Sequence, residues 1–197
     1  MVAVRILDEA PRFTEREYLA LEAVADIKHE YVNGEILAMA GAELAHNQIA
    51  HNLHAALDRA LEAKPCRVIG ADQRVKVETS SDYLYPDVVV VCADPKIVGD
   101  KPRSLTNPEI VVEVLSPSTA RYDRGAKWGA YQRIPSLNDY VLVSASEVLV
   151  EHYQRGPADS WTLRRFGPGQ TLHLCNDITL EVDRLYRLVD FDAPAND

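Results

Sequence analysis

Residues 110–119 read IVVEVLSPST, an apolar run with one carboxylate near its centre. Side chains alternate across a strand. Ile110, Val112 and Val114 therefore share one face, and Val111, Glu113 and Leu115 the other. A run that is apolar on both faces predicts a strand covered on both sides. An unpaired carboxylate buried in such a strand is costly enough to be driven towards its neutral form. Glu113 thus calls for a cation, a set of hydrogen-bond donors or a wet cleft. A salt bridge to a nearby arginine is the plain structural alternative.

A second acid sits upstream, in YLYPDVVVVC at 83–92. Asp87 opens an apolar run directly after Pro86. Proline suits the start of a strand and withholds one amide from the ladder, so the strand end there can open into a cleft. If the two runs are neighbours, Asp87 and Glu113 meet at the same end of the sheet. Two close carboxylates repel each other. A hard divalent cation such as Mg²⁺ or Mn²⁺ removes that conflict. An ordinary loop carboxylate is the simpler reading of Asp87 taken alone.

The third stretch is RYDRGAKWGAYQR, 121–133. A helix is expected over Arg124–Arg133, stopped by Ile134-Pro135. Asp123, Lys127 and Tyr131 recur every four residues and fall on one helical stripe. Arg121, Arg124 and Arg133 make this the most basic local stretch of an acidic chain, and nucleic-acid contact is the role it offers them. The plain readings are a surface pair between Asp123 and Lys127 contributing ~0.3 kcal/mol, and solvated arginines.

Outward from these three stretches the organisation is regular. Thr14 and Glu17 form a capping-box pattern that starts a short helix in FTEREYLALEA. Asn33-Gly34, between apolar stretches in HEYVNGEILAM, marks a hairpin. A helix is expected over about 42–64, with Ile49, Leu53, Leu57 and Leu61 as its apolar stripe. His46 extrapolates onto the inward side of that stripe. Strands are expected at 66–69, 74–77, 86–91, 109–115, 140–143, 148–153, 161–166, 171–174 and 178–182. The order predicts one α/β (α+β) domain over 1–191, a mixed sheet flanked by helices, with a polar tail at 192–197. The segment between Leu115 and Tyr140 can serve as a right-handed parallel crossover.

Composition sets the outer limits. The 197 residues are 47% hydrophobic and 26% charged, with a net charge of −9. That balance speaks against non-specific coating of nucleic acid, without excluding a local basic patch. No window is long and apolar enough for a membrane span, and the opening residues carry acids where a secretory signal needs an apolar core. Cys66, Cys92 and Cys175 are far apart and odd in number. They read as unpaired thiols of a reduced, cytoplasmic protein.

Taken together, FTEREYLALE, KHEYVNGEI, MAGAELAHNQIAHNL, YPDVVVVC, NPEIVVEVLSPST, YDRGAKWGAY and IPSLNDYVLV resemble the Uma family of restriction-endonuclease domains. That family lies within the PD-(D/E)XK nuclease superfamily. The likeness runs from Phe13 to Val143 and continues more loosely through VEHYQR. It implies a restriction-endonuclease-like core with extra antiparallel strands at both ends, and Mg²⁺-dependent (or Mn²⁺-dependent) hydrolysis of DNA. It further implies Asp87, Glu113 and the backbone carbonyl of Val114 as metal ligands, and Lys127 as the catalytic lysine. His46, Glu30, Glu43, Asp123 and Tyr131 are the accessory candidates. A homodimer is expected, since cutting both strands is simplest with two sites.

The chain departs from the superfamily pattern at Leu115. The superfamily places its lysine two residues after the acid, where the two share a face. Leucine there neither donates a proton nor bears charge. Two other functions stay open on this account: a nuclease fold that binds nucleic acid or protein without cutting, and a metal hydrolase of small phosphate esters.

Overall fold

Two six-stranded sheets carry the fold in the computed structural model, which describes residues 12–39 and 41–191. The tail expected at 192–197 lies outside the described residues. The central sheet is built around β9 (Ile110–Leu115) and β10 (Asp139–Ser144), which run parallel and are buried at every residue. Parallel neighbours require a crossover. The chain supplies it through α3 (Ala120–Tyr122), a π turn (Asp123–Lys127) and α4 (Trp128–Tyr131). On one side of this pair lie β6 (Val88–Val91) and β3 (Arg67–Gly70), and on the other β11 (Val150–Arg155) and β12 (Trp161–Phe166). The sheet order is β12-β11-β10-β9-β6-β3, antiparallel except between β9 and β10.

Strand alternation sorts the central sheet into two apolar faces. Ile110, Val112, Val114, Val141 and Val143 pack against α2 (Leu44–Leu61). The predicted stripe Ile49, Leu53, Leu57 and Leu61 forms the contact, each residue at most 3% exposed. The hairpin of β13 (Thr171–Leu174) and β14 (Ile178–Glu181), with α5 (Val182–Leu185), completes that layer. The opposite face presents Val89, Val111, Leu115 and Leu142 to Ala130 and Tyr131 of the crossover. It also meets Val75, Val77 and Leu84 of the second sheet.

The second sheet has the order β2-β1-β5-β4-β8-β7. Its strands are β1 (His29–Val32), β2 (Glu35–Ala38), β4 (Arg74–Val77), β5 (Asp82–Leu84), β7 (Ile97–Val98) and β8 (Ser104–Leu105). Asn33 and Gly34 turn β1 into β2 with φ of 53° and 87°, the pair of positive angles that a two-residue hairpin favours and that Asn-Gly supplies cheaply. The helix α1 (Glu15–Glu22) starts with the full reciprocal box between Thr14 and Glu17. The mixed sheet flanked by helices is therefore as expected. β5, β7 and β8 were not, being too short to show a period.

Two further differences have local causes. The crossover helix begins at Ala120 rather than Arg124, because the turn at 116–119 launches it. There Ala120 N–H donates to the Ser116 carbonyl at 3.0 Å, and Ser116 N–H to Thr119 Oγ1 at 3.3 Å. The reading of three unpaired thiols is corrected: Cys66 and Cys92 form a disulfide. They flank the antiparallel pair Arg67↔Val91 and so face each other across the ladder, which their distance in sequence conceals. Among the described residues, no helix is long and apolar enough to cross a membrane.

Candidate active site

The register of the central sheet sets the first two groups. β6 pairs with β9 so that Val88 opposes Val112, which places Asp87, the residue before β6, at the end of the sheet where Glu113 follows Val112. Pro86 has no amide to pair, and the strand ends there. Val114 N–H donates to Asp87 Oδ2 at 2.7 Å. His46, in the first turn of α2, brings Nε2 to 3.3 Å from the same oxygen.

Lys127 comes down onto this pair from the crossover. Its Nζ lies 2.9 Å from Glu113 Oε1, 2.9 Å from Glu30 Oε1 and 3.8 Å from Asp123 Oδ1. Glu30 is held by Tyr85, whose amide donates to Oε1 at 2.8 Å. The Tyr85 carbonyl lies 3.5 Å from the ammonium. These four charged residues are almost sealed from water, at 2% exposure for Glu113, 3% for Asp123, 4% for Glu30 and 5% for Lys127.

The π turn makes the approach of Lys127 specific. Trp128 N–H bonds to the Asp123 carbonyl, five residues back, instead of the usual four. The same carbonyl accepts the Tyr140 hydroxyl at 3.0 Å. That second donor, from β10, supports the widened turn. Such single wide turns are rare and concentrate at functional sites.

Electrostatics drive the two central carboxylates apart. Burial pushes the Glu113 carboxyl well above the usual carboxylate range, against the pull of Lys127, and the charges of Asp87, Asp123 and Glu30 push the same way. Burial raises Asp123 as well. Asp87 goes down: burial would raise it, but His46 and the Val114 amide outweigh that effect. Burial opposes the charge on Lys127, yet Glu113, Glu30 and Asp123 overcome it and hold the ammonium well above its ordinary value. Two neighbouring carboxylates with opposed shifts are a recurring sign of divided chemical roles.

Several buried polar atoms in this region lack an aligned hydrogen-bond partner: Glu113 Oε1, His46 Nδ1 and the hydroxyls of Tyr122 and Tyr131. Burial, followed by the charge of Glu113, pushes the Tyr131 phenol up. Glu43 stands apart. It caps α2 without a side-chain bond and is exposed. Arg121 is exposed, Arg124 pairs with Glu151, and Arg133 Nη1 lies 3.8 Å from Asp82. Tyr85, which orients Glu30, and Tyr122 carry no signal in the sequence, because a backbone contact and an orphan hydroxyl have no pattern. His152, with Nε2 2.6 Å from Asp139 Oδ1, is buried on the α2 side of the sheet. Among the described residues, no group of three or more His, Cys, Asp or Glu side chains is arranged to hold a metal ion.

A wide helical turn thus delivers a lysine to an acid on a neighbouring strand, and a second acid is hydrogen-bonded to the amide of the next residue. The profile of the Uma2 family, described as "Putative restriction endonuclease", matches residues 16–185. The chain belongs to that family. An uncharacterized Synechocystis protein, sll1609, is 37% identical over 150 residues, spanning 76% of this chain and 85% of its own length. A second from the same organism, slr1290, is 34% identical over 182 residues, spanning 92% of this chain and 95% of its own. The fold is also similar to the crystal structure of a "putative nuclease belonging to DUF820" from Anabaena variabilis. The TM-score is 0.71 and the identity 16%, with 89% of this chain and 98% of that one covered. At that identity the likeness is one of fold.

Proposed function

We propose that this chain is an endonuclease that hydrolyses phosphodiester bonds in DNA with Mg²⁺ or Mn²⁺. The observation that carries the reading is Lys127 at 2.9 Å from Glu113, with Asp87 Oδ2 bonded to the amide of the next residue, Val114. The donor chemistry fits a hard cation. Asp87 and Glu113 are oxygen ligands whose charges oppose each other, and Glu113 Oε1 is buried without an aligned donor. Two carboxylates, with the Val114 carbonyl and water, are the usual protein share of a Mg²⁺ site. Bound there, the ion supplies Lewis-acid polarisation of a phosphoryl oxygen and lowers the pKa of a coordinated water.

The remaining roles follow from the residues themselves. Asp87, ionised and held by the Val114 amide, keeps its second oxygen for ligation. Lys127 is charged, so it donates rather than accepts. It orients the attacking water and stabilises negative charge as it grows on the phosphoryl oxygens. Glu30 and Asp123 keep that ammonium in place, and His46 fixes the rotamer of Asp87 through the contact at 3.3 Å. Tyr131 packs beside Glu113 and excludes water. The same reading pairs two copies, one for each strand of DNA.

Supercoiled plasmid with the purified protein and Mg²⁺ or Mn²⁺ is the test. Metal-dependent nicking is expected, and Asp87→Ala reduces it at least a hundredfold. Nicking that is absent, or unchanged in Asp87→Ala, rejects the proposal. One observation favours a second reading, a nuclease fold that binds without cutting: Glu113 and Lys127 are only 2% and 5% exposed. Nucleic-acid affinity without calorimetric binding of either metal selects that reading.

A further inference from the structure

The row of the sheet that holds Glu113 continues across the neighbouring strands. Glu113 pairs with Leu142, Leu142 with Glu151, and Glu151 with Arg165. Residues opposed in register point to the same face, so Glu113, Leu142, Glu151 and Arg165 form one line across four strands, beneath the crossover. Glu151 is 2% exposed, and it holds two guanidinium groups. Arg124 Nε, from the π turn, lies 2.5 Å from Oε2, and Arg165 Nε lies 2.9 Å from Oε1. The π turn therefore sets down two cations on one row: Lys127 on Glu113, and Arg124 on Glu151.

One arginine would neutralise Glu151. The second leaves a surplus positive charge, fixed in place, on a chain of net charge −9. Stability does not call for it, since an exposed ion pair contributes about 0–1 kcal/mol and the Arg165 side chain is 67% exposed. A guanidinium carries five N–H donors, and the contacts to Glu151 use only part of them. The fork geometry of the remainder matches a phosphate.

We propose that Arg124 and Arg165, braced by the buried Glu151, form a clamp for a backbone phosphate of the nucleic acid acted on at Glu113 and Lys127. The proposal rests on the endonuclease reading for its substrate and adds where that substrate runs. Strands lie about 4.8 Å apart, so Glu151 is about 10 Å from Glu113 along the row. The clamped phosphate is therefore a near neighbour of the scissile one on the same strand. The track follows the row towards the edge strand β12.

The test is the salt dependence of binding to a short fluorescent DNA duplex and to its single strand, in EDTA so that no cutting occurs. Arg165→Ala is the main variant because its exposed side chain leaves the fold intact. Arg165→Lys keeps the charge, and Arg164→Ala removes an exposed arginine from the opposite face of the same strand. Losing one phosphate contact lowers the slope of log K against log salt by about 0.9 on duplex or 0.7 on single strand. Arg165→Ala and Arg124→Ala are expected to show that loss with several-fold weaker binding at low salt. Arg165→Lys is expected to retain most of the slope, and Arg164→Ala all of it. An unchanged slope in Arg165→Ala overturns the clamp, even if the plasmid is cut. A reduced slope in a protein that never cuts keeps the clamp and removes the endonuclease reading. A wild-type protein that binds neither probe in EDTA overturns the clamp, and plasmid nicking with Mg²⁺ or Mn²⁺ decides the endonuclease reading separately.

Discussion

Replacing Lys127 by methionine removes the cation that lies against three buried carboxylates. At an effective dielectric of about 20, each contact at 2.9 Å is a gross attraction of about 6 kcal/mol, most of which desolvation offsets. The change on mutation is better read from what is left behind, namely Glu113, Glu30 and Asp123 without a counter-charge. Breaking a buried pair from one side costs about 3–5 kcal/mol. For a chain of this size, about 2–4 °C per kcal/mol turns that into a fall in melting temperature of about 6–20 °C at pH 8.

The pH dependence distinguishes this from a packing defect. Lys127 has a folded-state pKa above its unfolded value. Its contribution is thus fully present below the unfolded lysine pKa, throughout the neutral range, and is lost only as pH rises through the folded value. Glu113 and Asp123 also have raised folded-state values. Their contribution is favourable at low pH, and a penalty grows as pH rises and they ionise. Lys127 limits that penalty in the wild type, and Lys127→Met does not. The deficit of the variant is therefore expected to be large at pH 8 and to shrink towards pH 5. Urea denaturation in EDTA at both pH values measures it. Adding Glu113→Gln to Lys127→Met should recover part of the loss, a positive coupling in the double-mutant cycle. A deficit below about 1 kcal/mol at pH 8, or one equal at both pH values, refutes the argument.

Three other outcomes are expected. Chelation by EDTA abolishes plasmid nicking and added Mg²⁺ or Mn²⁺ restores it, read on agarose gels; nicking that survives chelation removes the metal from the reaction. Leu53→Ala opens a cavity where α2 meets the central sheet, at a residue of 0% exposure, and costs about 3–5 kcal/mol in urea denaturation; a loss under about 1 kcal/mol would mean the helix is not docked as described. Asp139→Asn weakens the buried contact to His152 at 2.6 Å and the bond from the Cys175 amide at 2.8 Å. It should cost about 2–3 kcal/mol with nicking per folded molecule unchanged, because it lies on the α2 side of the sheet.

What the sequence displayed was what short-range chemistry writes. The four-spaced stripe of α2, the capping box at Thr14 and the Asn-Gly turn each complete their signal within a few residues, and each is found where it was expected. The Cys66–Cys92 bond and the support of Glu30 by Tyr85 depend on how distant segments are laid side by side, which a single sequence does not display. The π turn lies between these cases. Asp123, Lys127 and Tyr131 are spaced as on an α-helix, and the widened turn is sustained by a hydroxyl from Tyr140, seventeen residues away.

Leu115 ties these levels together. It shares a face with Glu113 and is 3% exposed within the apolar cluster of that face. A lysine at 115 would start from a position buried within the apolar cluster of that face. The position nearest in sequence is thus an apolar one in this fold, and a cation for Glu113 has to come from another element. The π turn is the element that reaches it, and the extra residue in that turn sets Lys127 over Glu113 while Arg124 falls on Glu151. A regular α-helix here would present a different pair of side chains to the row. On that argument the leucine at 115 and the widened turn at 123–127 are one arrangement, and neither is intelligible without the other.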